Sequence, residues 1–133
     1  MTDLERARAF FAKDRYATEV TGIVIEAVGP QYAKCSLQLT DRHRNAVGVV
    51  MGGVYYTLAD FVFGVSTNFD QPAPTVTTVG QINYLNAARG EWLIAESRLL
   101  KDGRTTCFYE INITDERGNP IALVTMTGAH LSK

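Results

Sequence analysis

The hydrophobic period of the chain changes several times, and each change marks an element. Residues 2–13 carry an apolar helical stripe of Leu4, Ala7, Phe10 and Phe11, with Thr2 as N-cap and Glu5 three residues later. From Val20 the period drops to two. Residues 20–28 are rich in β-branched side chains and end at Gly29-Pro30. Residues 32–40 then alternate, with Ala33, Cys35, Leu37 and Leu39 on one face and Lys34, Ser36 and Gln38 on the other. The two runs predict a hairpin with one wet face.

A polar segment, 41–45, leads into Gly48-Val49-Val50-Met51-Gly52-Gly53. Residues 54–69 are apolar on nearly every side, which predicts a buried helix, and at about 1.5 Å per residue it is roughly 24 Å long. Gln71, Pro72 and Pro74 stop it. Four strand-like runs follow, at 75–85, 91–100, 105–114 and 121–131. Hairpin-turn chemistry at Lys101-Asp102-Gly103-Arg104 and Asp115-Glu116-Arg117-Gly118-Asn119 separates the last three, so they pair antiparallel. A sheet of about six strands with one helix too apolar for water predicts a two-layer α+β domain, the sheet curled around that helix. Its edge strands need cover, and pairing with a second copy of the chain is one way to supply it.

Composition narrows the function classes. A length of 133 residues fits one domain, spanning 1–133, and 46% hydrophobic with 20% charged residues argues against disorder. A net charge of −1 gives no field to recruit nucleic acid. Cys35 and Cys107 have no metal or redox spacing and read as small buried hydrophobes. His43 and His130, without HxxxH or HExxH spacing, make no zinc site, and the expectation is no metal and no cofactor. Asp3, Glu5, Arg6 and Arg8 exclude a secretory h-region at the start, and no apolar run reaches the roughly 18 residues that span a bilayer. A cytoplasmic protein without membrane contact is expected.

The chemical outlier is Asp60, inside the most apolar helix between Leu58, Ala59, Phe61 and Val62. An unpaired buried carboxylate is costly or has a raised pKa. As plain structure it sits on a helix wall facing a polar cavity, or pairs with an Arg or a backbone donor elsewhere; otherwise it is a reactive group. Gly52-Gly53 stand at the start of the same helix, where free N–H groups and the helix dipole can polarise a carbonyl. Asn45, in the loop ahead, has an amide able to orient a carbonyl or a water, although turn chemistry also favours Asn there. Gly52 and Asp60 lie eight residues apart, about 12 Å along a helix, too far to act on one carbonyl. Two antiparallel copies of the helix, each supplying one group, would solve this and give two shared sites per dimer.

The run Asn45-x-x-Gly48-Val49-Val50-Met51-Gly52-Gly53-x4-Leu58-x-Asp60, followed by Ile82-Asn83-Tyr84-Leu85-Asn86-Ala87-Ala88, resembles the hotdog-fold acyl-CoA thioesterases of the phenylacetate-degradation (PaaI) type. The resemblance covers nearly the whole chain and implies the hotdog fold and hydrolysis of an acyl-CoA to free acid and CoA. It implies Asp60 as general base or nucleophile, the Gly52 N–H on the thioester carbonyl, Asn45 holding the carbonyl or the water, and Thr77, or its neighbour Thr78, orienting the water. It also implies a homodimer, or a dimer of dimers, in which Gly52 and Asn45 of one protomer face Asp60 and Thr77 of the other. Gly53 would adjoin the substrate, Tyr56, Phe61 and Phe63 would line the acyl pocket, and Arg89, Lys101 and Arg104 are the candidate cations for the CoA phosphates. Relatives commonly carry His where this chain has Met51. That departure keeps a second reading open, a non-catalytic binder of acyl-CoA or acyl-carrier ligands. A hydratase on the same fold would want an Asp–His couple, for which His43 is poorly placed.

Overall fold

The computed structural model describes residues 1–132. Helix α1 (Asp3–Phe11) is closed by the reciprocal Thr2–Glu5 capping box, so the helix begins where the sequence signal puts its cap. Ala7 and Phe11 are buried, but Phe10 is 52% exposed. The stripe is narrower than the sequence suggests, and Phe10 instead packs edge-on against Phe11 under the Lys13 ammonium. Residues 20–21 do not open a strand. Tyr16–Thr21 forms a π-helical turn ended by Gly22 at φ +93°, and β1 begins only at Ile23 (Ile23–Gly29).

The remaining strands are β2 (Tyr32–Gln38), β3 (Thr75–Tyr84), β4 (Trp92–Asp102), β5 (Thr106–Asp115) and β6 (Pro120–His130). Helix α2 spans Gly52–Asn68, two residues earlier at its start and one shorter at its end than the apolar run. All six strands form one antiparallel sheet in the order β1-β2-β4-β5-β6-β3. The chain therefore crosses the whole sheet through α2, leaving β1 and β3 as its two edges. The sheet curls around α2, which packs against every strand. The core is this wrap: Leu58, Ala59, Val62 and Val65 of α2 against Cys35, Leu37, Leu93, Ile111 and Val124. No helix among the described residues is long and apolar enough to cross a membrane.

Strand faces follow side-chain chemistry except at Ser36, Thr75, Ser97 and Asp115, which are polar and buried. β5 alternates cleanly between exposed and buried, as a half-wet strand must. On β2, Ser36 is buried rather than wet, because its hydroxyl donates to Glu26 on the neighbouring strand at 2.9 Å. The two edges differ. α1 lies along β1, and the Arg8 guanidinium takes the Ile25 carbonyl at 2.9 Å. β3 has no such cover: seven of its ten residues are exposed, Val76, Val79 and Tyr84 among them.

Two glycines have opposite surroundings. A Cβ on Gly128 of β6 would stand 2.7 Å from the Phe63 ring, 2.9 Å from the Thr75 methyl and 3.0 Å from the Cys107 sulfur. A Cβ on Gly64, inside α2, would meet nothing within 4 Å. Gly128→Ala should lower stability by about 1–3 kcal/mol through overpacking. Gly64→Ala should raise it by about 1 kcal/mol through helix propensity. Urea unfolding of both variants checks the opposite signs.

Candidate active site

Asp60 is the residue on which the structure and the apolar run part most clearly. Its neighbours in sequence point into the core, yet Asp60 itself is exposed. It belongs to a helical stripe of Thr57, Asp60 and Gly64, spaced three and four apart, whose small and polar side chains leave that side of α2 open; Thr67 continues the spacing but is buried. The open side forms the floor of a depression of about 520 Å³. Its walls come from Asp14, Arg15 and Tyr16 before the π-turn, from Phe61 and Phe63, and from Thr75, Val76 and Thr77 on β3.

The Asp60 carboxyl is held above its ordinary value. The larger cause is the surrounding protein, which restricts its hydration although its mouth is open to water. The Thr77 hydroxyl opposes this by hydrogen bonding to the charged form, and the Asp14 carboxylate adds to it by repulsion. Among the described residues no ion pair involves Asp60; Arg15, in the same wall, is engaged with Glu19 at 3.0 Å. A partly dehydrated carboxylate free of any cation can accept a proton or attack a carbon.

Register decides between the two neighbouring threonines. β3 carries a bulge between Thr77 and Val79, which pair with Gly128 and Thr127. Thr78 is the extra residue, and its hydroxyl donates to the Thr127 carbonyl at 3.1 Å. Thr77 is thereby aimed into the depression toward Asp60.

The other end of α2 is built differently. Met51 precedes it without a side-chain cap, no acidic residue occupies the first turn, and the Gly52 and Gly53 N–H groups have no acceptor among the described residues. That end therefore keeps its partial positive charge. The Tyr84 hydroxyl donates to the Gly52 carbonyl at 3.0 Å, fixing the turn from β3. The Met51 N–H donates to the His43 carbonyl at 2.9 Å, while the Met51 methyl lies 3.4 Å from where a Cβ on Gly53 would be. The His43 ring is buried as a brace. Its Nδ1 accepts from the Thr40 N–H at 3.0 Å, so Nε2 carries the proton and donates to the Thr21 carbonyl at 2.7 Å.

Asn45 is exposed near this end, but its side-chain oxygen accepts the Val47 and Val49 N–H groups at 3.1 and 3.2 Å. Its carbonyl oxygen shapes the loop, and the side-chain NH₂ is the part left to meet a ligand. Tyr56 lies over Gly80 rather than in the depression, its hydroxyl 4.0 Å from the Met126 sulfur. Phe61 and Phe63 are core residues that show an edge to the depression. The three candidate cations are exposed but not together. Arg89 precedes β4, near the Gly52 end, whereas Lys101 lies at its far end and Arg104 just beyond it, about 30 Å away along the strand. Within one protomer they cannot grip one phosphate. Cys35 and Cys107 are buried, and burial pushes the Cys35 thiol up to about 12, which removes it as a nucleophile.

Sequence reasoning missed Asp14, Arg15, Tyr16 and Gly64. The signal for Gly64 was present, since the 57, 60, 64 stripe is legible at helical spacing. The 14–16 wall depends on the π-turn, which has no such signature.

These features have counterparts among known proteins. A family model described as the thioesterase superfamily matches residues 47–122, from the loop after Asn45 into β6. A putative esterase of Deinococcus radiodurans is 32% identical over 119 residues, covering 88% of this chain and 80% of the relative. The acyl-coenzyme A thioesterase 13 of Mus musculus is 27% identical over 105 residues, covering 77% of this chain and 73% of its own. The solved structure of the Escherichia coli PaaI protein, from the phenylacetic acid degradation operon, superposes with a TM-score of 0.88 at 20% identity, over 98% of this chain and 94% of that one. It shares the curled sheet around a central helix, the hotdog architecture. The matched segment contains α2 with both its bare first turn and Asp60, and on that match the chain belongs to the thioesterase superfamily.

Proposed function

We propose that the chain hydrolyses acyl-CoA thioesters as a homodimer, each site combining Asp60 and Thr77 of one protomer with Gly52 and Asn45 of the other. The observation that carries this reading is the Asp60 carboxyl, raised by its surroundings and free of any cation in an open depression. Within one protomer it is about 12 Å from the bare Gly52 N–H. The uncovered β3 edge supports a second copy, because pairing there would bring two α2 helices alongside one another.

In the general-base form, Asp60 takes a proton from a water held by Thr77, and the water oxygen bonds to the thioester carbon. The oxyanion is received by the Gly52 N–H. The C–S bond then breaks, and the thiolate leaves with the proton from Asp60. In the nucleophilic form, Asp60 bonds to the carbon and expels the thiolate, and water then cleaves the resulting anhydride. The second reading, a binder without turnover, is favoured by one observation. Met51 has no polar group to brace the Gly52 turn.

Three outcomes follow. Thiol release from an acyl-CoA panel should fall about 10²–10⁴-fold in Asp60→Asn; an active variant overturns the assignment, and a panel inert with wild type leaves the binder. Asp60 must be ionised to act, and its carboxyl is raised. The acid limb of kcat/KM should therefore lie above the ordinary carboxylate value of 3.8. It should rise further in Thr77→Val and fall in Asp14→Asn. A raised carboxyl stabilises the fold only below its unfolded pKa and loses that contribution as pH rises through the folded one. Thermal melts should accordingly show Asp60→Asn no less stable than wild type at neutral pH.

A further inference from the structure

A second cavity, about 250 Å³, lies at the C-terminal end of α2 and shares the Thr75 wall with the Asp60 depression. Its lining is polar. Ser66 and Thr67 close it from α2, and His130 stands between Asp102 and Thr75, at 2.7 Å from each. Gln31 donates to the other Asp102 oxygen at 2.6 Å. Tyr109 reaches it from β5. Most of that residue is buried, but its hydroxyl is an accessible part of the cavity wall and has no hydrogen-bond partner among the described residues. An accessible hydroxyl on a cavity wall, with no partner in the protein, is free to donate to whatever enters.

The two cavities lie along one face of α2 and meet at Thr75. Thr67 continues the spacing of Asp60 on α2, about 10 Å further along. Gly64 sits between them, and nothing fills the space where its side chain would be. A glycine inside a helix costs stability, and here it leaves open space beside Asp60 on the side toward the polar cavity. Burial and the nearby Asp102 push the Tyr109 phenol up, so it stays protonated and able to donate.

We propose that the acyl chain lies over Gly64 and that the polar cavity receives an uncharged hydrogen-bonding group at its far end. The substrate class is a medium-chain acyl-CoA with a terminal hydroxyl. Tyr109 would donate to that hydroxyl. A terminal carboxylate is disfavoured, because Asp102 and the carbonyl end of α2 both repel it. The inference rests on the thioesterase reading for its substrate, but its test does not require turnover.

Wild type, Tyr109→Phe and Gly64→Val are compared on acetyl-, octanoyl- and ω-hydroxyoctanoyl-CoA by thiol release. The thioether analogues of the two longer substrates, which cannot be cleaved, are titrated by calorimetry. We expect at least a tenfold preference for the hydroxylated chain in kcat/KM and in Kd, abolished in Tyr109→Phe. Gly64→Val should lower the ratio of octanoyl to acetyl turnover at least tenfold. Equal handling of the two longer chains by wild type, or a preference that survives Tyr109→Phe, overturns the inference while leaving the thioesterase reading intact. Tight, hydroxyl-selective binding without thiol release would do the reverse.

Discussion

The structure depends on one constraint, that α2 must be buried on three sides and open on the fourth. Its large apolar side chains hold the six strands together, and without them the sheet would have nothing to curl around. Its open stripe of Thr57, Asp60 and Gly64 adds little to that burial. What the stripe provides is a carboxylate with restricted hydration, held at a fixed height on a rigid element. The bare first turn at Gly52 is fixed by the same helix, so the distance between the two groups cannot adjust to bring them onto one carbonyl.

That rigidity ties the proposed chemistry to assembly. Every other exposed border of the fold is managed locally: α1 and Arg8 cover β1, and the Tyr84 hydroxyl and the His43 brace hold the loops around Gly52. β3 alone is left open, and it carries Thr77. One uncovered strand thus presents both the edge a second copy would pair with and the hydroxyl that faces Asp60. Glycines mark the balance between packing and function. Gly128 exists because Phe63 and Thr75 leave no room, while Gly64 leaves room that stability alone would fill.

Much of this was legible in the residues. Period-two runs and charged turns gave the strands after α2 to within a residue or two at most ends, and the Thr2–Glu5 box marked the first helix. The β-branched Val20 and Thr21 read as strand but lie in a π-turn, because Gly22 and tertiary contacts override local propensity there. Asp60 read as buried, since its sequence neighbours are apolar; the helical spacing of its small partners was the better guide. Strand order was not legible, because nothing in the local pattern says that β3 crosses to the far edge. The separation of Arg89 from Lys101 and Arg104 was legible, since nearly all of β4 lies between them.

The most direct measurement mixes two inactive proteins. Gly52→Pro removes the N–H that would receive the oxyanion. Proline suits a first helical position, and the extended backbone of Met51 suits the residue before it; a Cβ there would stand 3.0 Å from the Tyr84 hydroxyl, which must give by a few tenths of an ångström. Asp60→Asn removes the carboxylate. Unfolded together and refolded at equal concentrations, the two should recover about a quarter of wild-type thiol release, since half the dimers would hold one complete site of two. A mixture as inert as its parents, or a Gly52→Pro protein active by itself, would contradict a site shared between two chains.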